Sequence, residues 1–217
     1  MHHQLPKMRP RVQLPTISGV VGAVRPGVKP YYIPTSEIID SFASPSTGPM
    51  ALAFDGVNLI SSDALNIYSH IGVTGSTSGS FSLAQGGIQD MCIANGDLVR
   101  TSDTGDIIYV HDGITSALLT SFPSPSVSPR GVAFHDGNLI TTDQNTGRVY
   151  IHDGISQFIL DSFVVNEAIT YLAHDGTNLI GTAAASDIVY IYDGISPNVK
   201  ASFQRRATGT GQGITFA

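Results

Sequence analysis

The chain has no tryptophan, a single cysteine and few charges, and no acidic residue appears before Glu37. Each shortage excludes something. With Cys92 alone, no intrachain disulfide is available, so the fold must stand on packing. Charged residues make up 13% of the chain, against roughly 25% in typical soluble domains. No apolar run approaches the ~18 residues of a spanning helix, so no membrane partner is expected. The N-terminal stretch Met-His-His-Gln-Leu-Pro-Lys-Met-Arg-Pro-Arg lacks the apolar core of a secretory signal. The expectation is a chain assembled without export by the general route.

Residues 1–30 carry Lys7, Arg9, Arg11, Arg25 and Lys29 unopposed, whereas the remainder has six basic residues against 17 acidic ones. Phosphate backbones are bound by neutralising their charge with Lys and Arg. An acidic body therefore argues against a nucleic-acid partner. What is present is an apolar share of 41% and 23 glycines across 217 residues, enough for a core and for many tight turns. Disorder would require low hydrophobicity with high net charge.

The main signal is repetition. A Ser-Phe pair recurs with Phe at 42, 81, 122, 163 and 203, at spacings of 39, 41, 41 and 40. The clearest unit runs Gly131-Val-Ala-Phe-His-Asp-Gly137, Asn138-Leu-Ile-Thr-Thr-Asp143, Arg148-Val-Tyr-Ile-His-Asp-Gly154 and Phe158-Ile-Leu-Asp-Ser-Phe163. Its segments are short and rich in Val, Ile, Tyr, Phe and Thr, which marks strands. Asp-Gly and Asn-Gly supply the positive φ of tight hairpins. Turns of this kind recur at Asp55-Gly56, Asn95-Gly96, Asp136-Gly137 and Asp175-Gly176, and again at Asp112-Gly113, Asp153-Gly154 and Asp193-Gly194. Four strands per ~40 residues is one propeller blade.

The ends predict closure. Gly213-Ile-Thr-Phe-Ala217 matches only the first strand of a unit, while Gly27–Phe42 matches the last two and Ile17–Val24 could be the second. Residues 15–42 and 204–217 together make about one period. The expected fold is an all-β, five-bladed β-propeller of four-stranded antiparallel blades over 15–217, closed by a blade shared between the termini. Such sharing removes an exposed edge.

These segments, Ser-Pro-Arg130-Gly-Val-Ala-Phe above all, resemble the repeats of NHL-type propellers and their relatives. The resemblance spans about residues 15–217. It departs in blade number, since that family usually closes with six, and the absence of Trp removes the signature of WD40 repeats. It implies architecture and little about activity, because propellers host many unrelated functions.

Several residues could carry chemistry. His70, His111 and His152 recur at the end of the third strand, with Tyr192 in the fourth unit. Pointing outward along separate radii, they cannot share a zinc ion, and packing beside the turn is expected. His135 and His174 end adjacent inner strands and could meet at the axis, but two imidazoles without a carboxylate make a poor transition-metal site. Asp63, Asp103 and Asp143 close the second strand in three units. They read either as a ring of cation ligands on one face or, preferably, as Asx turns. Tyr68, Tyr109, Tyr150 and Tyr190 recur where inward packing competes with a role as sugar platforms. Cys92 sits in an inner-strand segment and is expected to be buried. No Gly-x-Ser-x-Gly, His-Glu-x-x-His, EF-hand or phosphate loop appears, so no catalytic residue, metal or cofactor is assigned.

Residues 1–14 form an arm that the propeller does not need. Lys7, Arg9 and Arg11 lie between Pro6, Pro10 and Pro15, and proline spacing favours an extended segment that can lie along another protein. The expected function is a non-enzymatic structural or interaction propeller docked in a larger assembly by this arm. A bacteriophage virion accessory of neck, tail or capsid fits that combination. The alternatives are a glycan- or receptor-binding propeller and a metal-dependent enzyme of the NHL-like or lactonase-like sort.

Overall fold

In the computed structural model the described residues are 40–183, 185–205 and 213–215. They fall within one compact unit, Thr35–Ala217. The arm, with Lys7, Arg9 and Arg11, lies outside them.

The described strands form four separate four-stranded antiparallel sheets, each a meander in chain order. The first blade holds β1 (Leu52–Phe54), β2 (Leu59–Ser62), β3 (Asn66–His70) and β4 (Thr77–Ser82). The second holds β5 (Ile88–Ala94), β6 (Asp97–Ser102), β7 (Ile107–His111) and β8 (Leu118–Pro123). The third holds β9 (Pro129–His135), β10 (Asn138–Asp143), β11 (Arg148–His152) and β12 (Ile159–Val164). The fourth holds β13 (Tyr171–His174), β14 (Leu179–Ala183), β15 (Ile188–Tyr192) and β16 (Val199–Gln204). No helix is present among the described residues, so none is long and apolar enough to cross a membrane.

The turns explain the registers. Asn95-Gly96 and Asp136-Gly137 have positive φ at both residues, the two-residue turn whose twist matches the flanking strands. The inner strands β1, β5, β9 and β13 pack in succession, and β13 also reaches β5. Burial falls from these inner strands to β4, β8, β12 and β16, which are mostly exposed. The recurring Ser-Phe now has a cause: Phe81, Phe122, Phe163 and Phe203 turn inward from the outer strands onto the apolar clusters. Phe122 reaches His152 of the next blade at 6.1 Å, and Phe42 meets His70 of the first blade in the same way at 5.9 Å.

The blade count differs from the expectation: among the described residues there are four blades and not five. Of the segments 15–42 and 204–217 assigned to a fifth, only Asp40–Phe42, Gln204–Arg205 and Gly213–Thr215 are described, and Gln204 ends β16. Gly213–Thr215 nonetheless lies where an inner strand would. A Cβ on Gly213 would come within 2.8 Å of Leu52 N, as one on Gly131 would come within 3.0 Å of Leu172 N in the following blade. Ile214 packs on Ile180, Val189 and Ile191 of the fourth blade.

Candidate functional site

The inner strands converge on an axial cavity of about 110 Å³. Antiparallel register aligns their positions: Val132 lies opposite Thr141, Leu172 opposite Gly181 and Met91 opposite Arg100. These three residues, with Ile214, line the cavity at one level, and Phe54, Ile93, Phe134 and His174 line it at another. Cys92, expected to be buried, is half-buried in the cavity wall as a free thiol, and desolvation pushes its pKa up.

Asp90 is the residue that sequence reasoning missed. Completely buried, it accepts hydrogen bonds at Oδ2 from Val132 N at 3.0 Å and Leu172 N at 2.9 Å, so one carboxyl ties the second blade to the third and fourth. Its other oxygen, Oδ1, is buried without a partner. Desolvation raises its pKa well above the ordinary aspartate value, against the opposing pull of the backbone donors. A signal existed in the repeats. Inner-strand positions equivalent to Asp90 hold Ala51, Gly131 and Tyr171 in the other blades, so a charge there stands alone.

Around one rim of the inner strands, Arg130 bonds Gln89 and lies 3.6 Å from Asp103. Thr101 Oγ1 of the second blade donates to Arg130 O of the third, and Thr142 Oγ1 of the third donates to Ile169 O at 3.0 Å. Strand-two hydroxyls thus link each of these blades to the next.

His135 and His174 do meet. Their rings stack at 3.6 Å with 22° between planes, but they do not occupy matching places. The third blade turns through two residues and pairs Phe134 with Leu139, while the fourth needs four residues and pairs His174 with Leu179. His135 is therefore one position beyond His174 in register. Nδ1 of His174 accepts from Gly176 N at 3.0 Å, while His135 Nε2 lies 3.1 Å from Asp136. Desolvation, then His135, lowers the pKa of His174. A stacked neutral ring is not arranged to chelate. Among the described residues no group of three His, Cys, Asp or Glu could hold a metal.

Asp63, Asp103 and Asp143 do not form a ring. Asp63 Oδ1 accepts from Leu65 N and Asn66 N at 2.9 and 2.7 Å, and Oδ2 from the Tyr68 hydroxyl. Asp143 Oδ1 accepts from Thr146 N and its hydroxyl, both turn contacts. Asp103 instead faces Arg130 across blades. Of the four tyrosines only Tyr109 is buried, beneath Arg100 at 4.0 Å, while Tyr68, Tyr150 and Tyr190 are half-buried.

The third-strand histidines are tied within their own blades. His70 Nδ1 donates to Thr74 O and its Nε2 hydrogen-bonds Ser61 Oγ, both at 2.7 Å. His152 repeats this with Ser156 O at 2.7 Å and Thr141 at 2.9 Å. A carbonyl can only accept, so Nδ1 carries the proton in both rings. In the second blade Arg100 replaces the hydroxyl: fully buried, its Nε donates to His111 Nε2 at 3.1 Å and a terminal nitrogen to Gln85 O. Desolvation lowers its pKa to about 10.

Burial lowers the pKa of His111, His152 and His174 alike. A histidine held neutral contributes stability above its unfolded pKa near 6.5 that is lost as pH falls through the folded value. The melting temperature is expected to drop as pH falls below about 6.5, and His152→Gln to flatten that slope. A wild-type melting temperature that holds constant down to pH 5 would contradict the assignment.

No family model matches the sequence, and no curated protein sequence matches it. Solved structures match it in fold. The chain is similar to Myxococcus xanthus glutaminyl cyclase, with TM-score 0.63 and 13% identity over 78% of this chain and 81% of that one. It is similar to the Neurospora crassa Pan2 WD40 domain, with TM-score 0.53 and 11% identity over 72% of this chain and 50% of that one. A chain of the Mitotic Checkpoint Complex gives TM-score 0.51 and 15% identity, covering 73% and 51%. The protein thus spans about half the length of the last two. At such identities the likeness shows the fold alone, a β-propeller.

Proposed function

We propose that this chain is a non-enzymatic interaction propeller, docked in a larger assembly through its N-terminal arm, and that the assembly is a bacteriophage virion. The observation that carries the interaction reading is the outer rim. Phe158 is 66% exposed, Leu160 58%, Leu119 55% and Val164 55%, all on or beside the outer strands β8 and β12. Large apolar side chains left exposed along open strand edges suit a contact surface. Polar groups that could do chemistry elsewhere, at His70, His152 and Asp63, are engaged by their own blades. The arm, basic beside an acidic body, and the absence of a catalytic motif support the virion reading.

The enzymatic alternative draws on one observation, the similarity in fold to glutaminyl cyclase, which carries no residue across at 13% identity. The glycan-binding alternative draws on the half-buried tyrosines, of which Tyr68 already gives its hydroxyl to Asp63.

Trypsin tests the docking role. In the isolated protein, cleavage is expected first at Lys7 and Arg11, because Arg9 precedes Pro10, with the blades resistant. In the assembled state both sites are expected to be protected. An isolated monomer whose arm resists trypsin would count against docking.

A further inference from the structure

The two ends of the propeller differ in charge. In a four-stranded meander the first and third turns of a blade lie at the same end, and hydrogen bonds join them here. Gly113 N donates to Asp97 Oδ1 and Gly154 N to Asn138 Oδ1, both at 2.9 Å. This end carries Asp55, Asp97, Asp136 and Asp175 on or beside the first turns, and Asp112, Asp153 and Asp193 on the third. Neither set of turns contains a lysine or an arginine. Lys200, near the start of β16, reaches this end through Asn178 Oδ1 at 3.4 Å. Arg130 and Arg205 lie at the opposite end, against Asp103 and Asp187 of second turns. The inner carboxylates are held in place by their own turns. Asp55 Oδ1 accepts from Val57 N and Asn58 N at 2.8 and 2.6 Å, and Asp175 Oδ1 accepts from Thr177 N and Asn178 N at the same distances.

The axial cavity opens at this acidic end. At its inner level Met91, Val132 and Leu172 are closed to solvent. Two residues further along the strands, Ile93, Phe134 and His174 are half-exposed, with Phe54 at the matching place in the first blade. The main chain at the mouth also faces the axis. Val132 and Leu172 direct their N–H groups inward. Positions two apart on a strand repeat that direction, and a residue's C=O follows its N–H. The carbonyls of Phe134 and His174 therefore face the axis at the mouth, beside the aromatic rings. Such rings attract a cation over their faces, and the carbonyls accept hydrogen bonds from its N–H groups. At about 110 Å³ the cavity is smaller than the ~150 Å³ void that admits benzene, so it takes the end of one side chain.

We propose that this end of the propeller docks a basic segment of a partner protein, seating one lysine or arginine side chain in the axial mouth among Phe54, Ile93, Phe134 and His174. Asp136 and Asp175 flank the seat, and the outer Asp112, Asp153 and Asp193 attract the neighbouring cations of the same segment. Charge complementarity selects the partner: phosphate backbones and anionic membranes are repelled where a basic segment is drawn in. The seat is separate from the N-terminal arm and the outer rim, and stands or falls independently of them.

An NMR titration of the full chain with capped hexa-arginine, hexalysine and hexaglutamate tests the proposal. At low salt at least one cationic peptide is expected to shift the amide signals of Gly137 and Gly176 and the methyl signals of Ile93. Gly105 and Gly147, at the opposite end, should not move, and hexaglutamate should shift none of them. Replacing both Asp136→Asn and Asp175→Asn is expected to weaken binding about fivefold, whereas Asp161→Asn on β12 leaves it unchanged. Both substitutions keep the turns, since Asn95-Gly96 makes the same two-residue turn in the second blade as Asp136-Gly137 and an asparagine oxygen can still accept from Thr177 N and Asn178 N. No shift with either cationic peptide at millimolar concentration would overturn the docking face. Turn amides that shift while the Ile93 methyls stay still would overturn the seat. Self-association through these turns without peptide would give the face to a second copy and overturn the basic partner.

Discussion

Asp90→Ala is expected to lower the unfolding free energy by about 2–5 kcal/mol, read as a reduced midpoint in urea with little change in slope. The figure follows from what the substitution leaves behind. Val132 N and Leu172 N both point at the Asp90 carboxyl in the interior. A buried donor stripped of its acceptor loses about 1–3 kcal/mol, and here two are stripped at once. Asp90→Asn should lose far less, because its amide oxygen can still accept. The pH dependence separates the two effects. With the folded pKa raised by desolvation, the carboxyl stabilises the native state fully below the ordinary aspartate range near 4. That stability is lost as pH rises through the folded pKa. Wild type should therefore weaken with rising pH while Asp90→Asn does not. An alanine variant as stable as wild type would show that the inter-blade bonds carry nothing.

That residue also marks where sequence reading stopped. The blade pattern was legible because its causes are local: Asp136-Gly137 and Asn95-Gly96 must turn, and alternating apolar strands must bury one face. The periodic Ser-Phe was legible as a mark but not as a contact, because Phe122 packs on His152, which lies 30 residues on in the next blade. The histidines were placed correctly beside their turns, yet their partners Ser61 and Thr141 sit on the neighbouring strand, where only register reveals them. His135 and His174 looked equivalent because both precede Asp-Gly. One extra loop residue, Thr177, breaks that equivalence without preventing the stack. Asp90 lay hidden for a similar reason. An isolated aspartate in Gln-Asp-Met-Cys-Ile reads as a strand-edge charge until three blades are seen to close around it.

Gly131→Val is expected to cost about 3 kcal/mol, near the upper end for overpacking a close-packed interior. Even the first carbon of a side chain would stand 2.7 Å from Leu172 Cβ, 2.9 Å from Thr142 Oγ1 and 3.0 Å from Leu172 N. Two of these are rigid parts of the next blade. The third is the hydroxyl that accepts from Gly131 N at 2.7 Å and donates to Ile169 O at 3.0 Å, so moving it breaks an inter-blade link. Here glycine answers a demand for space. Gly137 answers one of conformation, at φ +82 with nothing within 4 Å of an added Cβ. Gly137→Ala should accordingly cost only about 1–2 kcal/mol. The obstruction at residue 131 also falls on Leu172 N, the group that Asp90 holds. The valine therefore displaces the Asp90 carboxyl from one of its two donors, and the two substitutions act on one contact. Combined, Gly131→Val and Asp90→Ala should destabilise by less than the sum of the single effects, with a coupling of about 1 kcal/mol or more. Strict additivity in a double-mutant cycle would show that the blades are joined elsewhere than at this carboxyl.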